Sequence, residues 1–212
     1  MESFANFLLL LVILLNFFLL GSSRLTACIR AVALQGGMLA FLPLIIHPLS
    51  AHSLLLGGGA LLLKGFLIPW LLLRAIRQVQ IRREMEPMIS YVSTLILGTL
   101  TTAGAFIFSN QLPLLEEHSS SLFIPTGLAT LAAGFLMLIT RRKAITQALG
   151  YLLFENGIFI FGVLLAQAMP LMVEAGVLLD LLVAVFVMGI VVNQINREFA
   201  SMNIEQLSSL KE

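Results

Sequence analysis

The feature that most constrains this chain is a succession of seven apolar runs, at residues 4–20, 31–46, 53–73, 88–108, 122–140, 144–167 and 173–193. A helix needs about 20 predominantly apolar residues to cross a ~30 Å hydrocarbon core, and the second run reaches that length if its helix begins a turn earlier. Of the 212 residues, 59% are hydrophobic and only 11% charged, more apolar surface than a soluble domain can hide. The expected fold is therefore all-α, a polytopic integral membrane protein with seven transmembrane helices and one membrane domain. Little length remains for a soluble domain. The start, Met1-Glu2-Ser3, carries an acid and no basic residue, unlike the basic opening of a cleaved signal, so the first helix is expected to be retained.

Several chemistries are excluded early. The single cysteine, Cys28, cannot hold an iron–sulfur cluster, a cysteine-rich zinc site or an internal disulfide. Gly57, Gly58 and Gly59 lie within an apolar run and do not follow a strand, so they fit close helix packing and not a phosphate loop. His47 and His52 flank Pro48 in an outer loop and are read as solvated, since no further ligands stand at fixed spacing.

Charge sets the orientation. Arg24 and Arg30 fall in the first loop, Arg74, Arg77, Arg82 and Arg83 in the third, Arg141, Arg142 and Lys143 in the fifth, and Arg197 and Lys211 in the tail. Eleven of the twelve basic residues thus lie on one side of the seven-span arrangement. The intervening loops hold His47, His52, Glu116, Glu117, His118 and Glu174 and no Lys or Arg. Basic loops face the cytoplasm, so the amino terminus is expected outside and the carboxyl terminus inside. A six-span or eight-span count would spoil the alternation. The polar connection at 74–87 and the tail at 197–212 then lie on the cytoplasmic side.

The twelfth basic residue is Lys64, about eleven residues into its run, or roughly 16 Å at the helical rise, close to the midplane. Glu155 sits at similar depth in the sixth run, and Asp180 roughly 10 Å into the seventh. Each charge at such depth costs about 2.5 to 3.5 kcal/mol on insertion scales, which makes function the default reading. Burial favours the neutral form of acids and amines alike, and groups so disposed can take up and release protons near neutral pH. Tyr151 and Phe159 stand one turn before and after Glu155, Asn156 adds an amide, and Gly150 and Gly157 leave room for close packing or a water. Around Asp180, Gly176 and Ala184 form a smooth strip. Two bland readings stay open: a neutral carboxylic acid hydrogen-bonded to a neighbouring helix, and a Lys64 anchored by a carboxylate of another subunit. Asn16, Gln35, Ser93-Thr94 and Thr101-Thr102 are expected to bond between helices. Glu84 and Glu86 either pair with Arg82 and Arg83 or feed protons inward.

Residues 150–159 (GYLLFENGIF), followed by 178–190 (LLDLLVAVFVMGI), together with 64–69 (KGFLIP) and 203–211 (NIEQLSSLK), resemble the hydrogenase-4 component E family. The resemblance covers most of the chain and is strongest after Arg141. Residues 122–196 also resemble the three-helix subunit K of respiratory complex I and the C subunit of multisubunit cation/proton antiporters, leaving 1–143 as an amino-terminal five-helix region that shares the fifth helix. The first buried glutamate of that unit matches Glu155. The second falls where this chain has Ala184, with Asp180 a turn away.

The resemblance implies a non-catalytic membrane subunit of an energy-conserving group 4 nickel–iron hydrogenase or formate hydrogenlyase-type complex in a bacterial or archaeal cytoplasmic membrane. Iron–sulfur clusters and the nickel–iron centre would belong to a peripheral hydrogenase or dehydrogenase module, and antiporter-like subunits would be membrane partners, with no cofactor and no nucleic acid bound by this chain. Glu155, Lys64, Asp180, Tyr151 and Asn156 would contribute to a hydrated path for protons or another cation. Two alternatives stand beside this: a structural or assembly subunit without proton transfer, and a subunit of a cation/proton antiporter. The parent reaction, oxidation of H2, formate or carbon monoxide, stays open.

Overall fold

A computed structural model describes residues 2–46, 57–59, 61–79, 88–112, 122–165 and 189. The seventh apolar run apart from Gly189, including Asp180, lies outside the described residues, as do His47, His52, Arg82, Arg83, Glu84, Glu86, Glu116, Glu117, His118, Glu174 and the tail.

The described chain is all-helical: α1 (Glu2–Gly21), α2 (Leu25–Ala40), α3 (Leu42–Ile46), a π-helical stretch (Leu61–Leu67), α4 (Ile68–Val79), α5 (Tyr91–Gln111), α6 (Phe123–Thr140) and α7 (Ala144–Leu165). Among the described residues six helical spans are long and apolar enough to cross a membrane, from Ser3–Gly21 to Ile145–Leu164. This is a multi-pass membrane protein.

Local sequence explains the breaks. Pro43 offers no amide proton to Leu39 four residues back, and α2 gives way to α3 at Phe41, whose N–H turns to the Met38 carbonyl at 3.2 Å. The next irregularity has the same cause. Pro69 cannot donate to Gly65, its ring crowds that carbonyl, and the turn just before it widens to a π-helix. Ser90 starts α5 by accepting the Ser93 N–H at 3.1 Å.

Some expectations are corrected here. The helix α2 begins at Leu25, six residues before the apolar run, so Arg30 is an exposed residue of α2 and not a loop residue. A long Arg stem can lie along an apolar face while its head reaches out, so one arginine near the helix end does not stop it. Likewise Arg74 and Arg77 belong to α4, where Arg74 covers the Trp70 ring at 5.4 Å, and the basic connection begins later than its charges imply. The hydroxyls of Ser93, Thr94 and Thr101 serve their own helix: Thr94 Oγ1 donates to the Ser90 carbonyl at 3.0 Å, Thr101 Oγ1 to that of Gly98 at 3.1 Å, and Ser93 Oγ meets Ser90 Oγ at 2.8 Å. Short hydroxyl side chains reach a carbonyl three or four residues back more cheaply than a neighbouring helix.

Packing is closest between the antiparallel helices α6 and α7, where Gly127 and Gly134 on one and Gly150 and Gly157 on the other each stand seven residues apart. A Cβ at Gly134 would run into the Phe154 backbone; at Gly157 it would meet the Leu131 nitrogen at 2.7 Å, and at Gly150 the Leu138 nitrogen at 2.9 Å. Small residues let two backbones approach in a solvent that gives helices no hydrophobic reason to associate. The result fixes α7 rigidly against α6.

Two apolar cores follow, one at each end of the bundle. One gathers Leu19, Leu25, Ile29, Leu72, Met137 and Leu149 at the end where α1 stops and α7 starts; the other gathers Leu9, Val12, Leu39, Leu42, Phe123 and Ile160. Along α1, α2, α6 and α7 the residues between them include the buried polar Asn16, Gln35, Thr130, Glu155 and Asn156. Meanwhile Phe4, Phe7, Leu10, Leu14 and Phe18 turn outward along α1, as a lipid-facing stripe would.

Candidate functional site

The polar layer centres on one ion pair. Lys64 Nζ lies 3.0 Å from Glu155 Oε1, with the two side chains only 5% and 2% exposed. The π-helical stretch carries Lys64 across to α7, where its ammonium also covers the Phe159 ring at 4.8 Å from the centroid. Glu155 and Phe159 are one turn apart, so a single α7 face offers the cation both a carboxylate and a π surface. Gly36 on α2 makes this possible: a Cβ there would stand 2.8 Å from the Lys64 Cβ.

A chain of neutral groups runs beside the pair. Asn156 Nδ2 donates to Gln35 Oε1 at 3.3 Å, Gln35 Nε2 to Asn16 Oδ1 at 2.8 Å, and Asn16 Nδ2 to Thr130 Oγ1 at 2.9 Å. Four helices, α7, α2, α1 and α6, are tied in this order at the level of the pair. Side-chain amides neither gain nor lose protons near neutral pH, so this chain holds helices in place and does not itself carry charge.

The sequence-derived candidates fare unequally. Lys64 and Glu155 meet, and Asn16 and Gln35 bond between helices as expected. Asn156, expected as an amide beside the carboxylate, faces into the amide chain. Tyr151 is half-buried one turn toward the basic end, against the apolar core there. Asp180 lies outside the described residues. Among the described residues no three His, Cys, Asp or Glu side chains gather where a metal ion would fit.

Sequence reading missed two contributors. Thr130 ends the amide chain, and a threonine within a run of apolar and small residues was the available signal. Arg141, read only as one of the basic charges of the fifth loop, is fully buried: its Nη2 donates to the Leu20 carbonyl at 2.9 Å and its guanidinium covers Tyr91 at 4.9 Å. Burial pulls this guanidinium below its ordinary range, and Tyr91 pulls it partly back. It answers a carbonyl that the last turn of α1 leaves without a helical partner. Close by, the Met88 N–H meets the Thr140 carbonyl at 2.8 Å, so α1, α5 and α6 are fastened together at the basic end.

The chain matches no family model and no solved structure. It is 27% identical over 165 residues to hydrogenase-4 component E of Escherichia coli, covering 76% of each chain. It is 31% identical over 191 residues to the uncharacterized protein Rv0085 of Mycobacterium tuberculosis, covering 89% of this chain and 87% of that one. With this identity maintained across nearly the full length of both, the chain belongs to the same family as Rv0085.

Proposed function

We propose that this chain is a membrane subunit of a hydrogenase-4-type complex, in which the Lys64–Glu155 pair is a protonatable element of a path through the bilayer. The observation that carries this reading is the pair itself: opposite charges 3.0 Å apart, almost wholly buried at the level between two apolar cores. A bundle that needed only to stand would be served as well or better by well-packed apolar residues of similar volume. The relative named hydrogenase-4 component E supplies the setting.

One proton moved from Nζ to Oε1 converts ammonium and carboxylate into a neutral amine and a neutral acid, and the reverse restores the charges. Either state is electrically balanced, so switching between them leaves no net charge in hydrocarbon. A proton reaching the pair from one neighbour can therefore leave toward another; Tyr151, on the basic side, and Asp180, on the seventh apolar run, are the candidates for those neighbours in this reading. The amide chain keeps α1, α2, α6 and α7 at fixed distances while the charges change. Redox centres, iron–sulfur clusters and nickel–iron, belong in this reading to a peripheral partner module, and antiporter-like membrane subunits take up the coupled protons. The chain itself makes and breaks no other bonds.

The amide chain favours a second reading, a subunit that only braces its membrane partners. Glu155→Gln separates the two. An assembled complex that has lost proton translocation supports the path, whereas an assembled and fully coupled one supports bracing. Co-purification from native membranes followed by nickel and iron analysis distinguishes a hydrogenase-type partner from an antiporter without redox centres.

A further inference from the structure

A buried carboxylate can carry a proton or a metal cation such as Na+, and the two ask for different surroundings. A proton needs one lone pair, whereas a hard metal cation needs a shell of several oxygens to replace the water it gives up. At Glu155 the place of such a cation is filled. Lys64 Nζ stands 3.0 Å from Oε1, and the ammonium covers the Phe159 ring, 4.8 Å from its centroid, where the ring supplies carbon and no oxygen. The base of the lysine is seated against α2: a Cβ on Gly36 would stand 2.8 Å from the Lys64 Cβ and 3.5 Å from its carbonyl carbon and oxygen. Oxygens of the same polar layer are engaged as well. Gln35 Oε1 accepts from Asn156, Asn16 Oδ1 from Gln35, and Thr130 Oγ1 from Asn16.

Resting on the proton-path reading above, we propose that Lys64 is the selectivity element of the path: its ammonium holds the cation position at Glu155, so that protons are admitted and Na+ and K+ are excluded. In the charged state of the pair, a metal cation arriving at Oε1 meets an ammonium 3.0 Å away. In the neutral state it meets a protonated acid that has no charge to offer. Passage between the two states balances without any other ion, since the N–H bond of Lys64 breaks as the O–H bond of Glu155 forms. A like charge set against the wrong ligand is a general route to specificity, and in a buried site its repulsion is screened far less than in water. Removing the ammonium should reverse the preference. In Lys64→Gln an amide takes the place of Nζ beside a carboxylate that has lost its counter-charge, and Na+ becomes a ligand that restores neutrality.

The test reads cation binding as a gain in stability, because whatever binds the folded state alone stabilises it. Thermal unfolding of the full chain in lipid nanodiscs is followed while choline chloride is exchanged for NaCl at constant ionic strength. The reference is the double variant Lys64→Gln/Glu155→Gln, which carries neither charge, and the readout is the shift of the midpoint beyond that of the reference. The wild-type midpoint is expected to stay in place, and that of Lys64→Gln to rise with Na+. Lys64→Arg, which keeps the positive charge, should be as indifferent to Na+ as the wild type. A Lys64→Gln midpoint that ignores Na+, or a Lys64→Arg midpoint that rises as much as that of Lys64→Gln, overturns the ammonium as the selecting group. A wild-type midpoint that rises with Na+ overturns it too, and this arm holds even where Lys64→Gln does not fold. The proton path fails separately: full proton translocation by an assembled Glu155→Gln complex overturns the path, whatever Na+ does to the midpoints.

Discussion

Gly36 and Lys64 meet backbone to side chain: any Cβ at position 36 would lie 2.8 Å from the Lys64 Cβ, closer than real carbon atoms approach. The ion pair therefore depends on a residue that carries no chemistry. Gly36→Ala should push Lys64 away from Glu155 at a cost of about 1 to 3 kcal/mol, the usual range for overpacking. Gly37→Ala, whose Cβ would sit 3.8 Å from Leu61, should be tolerated. Thermal unfolding of the two variants in lipid nanodiscs, compared side by side, checks this.

The pair itself should behave as a coupled unit. Lys64→Met leaves a buried carboxylate without its ammonium, and Glu155→Gln leaves the reverse. Each single change is expected to cost about 3 to 5 kcal/mol, whereas the double change should cost clearly less than their sum, because no uncompensated charge then remains. A double-mutant cycle on reversible unfolding in detergent micelles measures the coupling. Additive effects would show that the two charges do not interact.

Stability and proton transfer should part company along the amide chain. Gln35→Leu breaks bonds to both Asn16 and Asn156. Interhelical hydrogen bonds inside membranes average about 0.6 kcal/mol and reach about 1.7. The variant should therefore be destabilised by a modest amount of that order while proton translocation, scaled to the complex assembled, persists. Translocation lost without any loss of assembly would place the amides in the proton path.

Much of the fold was legible because the bilayer imposes its own lengths. The apolar runs marked the helices, and a charge within a run stood out by its cost, which is how Lys64 and Glu155 were found separately. Their meeting was not legible, since hydropathy carries no information on which helices are neighbours. Asn16 and Gln35 were readable as interhelical groups because an amide in hydrocarbon has few alternatives, whereas Thr94 and Thr101 could satisfy themselves locally and did. The π turn has a visible cause in Pro69 and Gly65, but a proline inside an apolar run is equally compatible with a simple kink. Arg141 misled for a different reason: the triplet Arg141-Arg142-Lys143 reads as a basic turn, and nothing in it distinguishes the residue that folds inward.

That inward turn of Arg141 is itself testable against its neighbour. Arg141 is fully buried and holds the Leu20 carbonyl at 2.9 Å, while Arg142 is exposed. Lysine keeps the charge but loses the planar fork that reaches a carbonyl and lies flat on Tyr91 at once. Arg141→Lys should therefore destabilise the bundle by about 1.5 to 3 kcal/mol, the range for a hydrogen bond to a charged group. Arg142→Lys, conserving charge at an exposed site, should stay within about 0.5 kcal/mol. Both variants keep the same basic count at this end of the bundle, so membrane orientation is held constant. Unfolding midpoints that shift equally in the two would mean that total charge, and not the fastening of α1 to α5 and α6, is what Arg141 contributes.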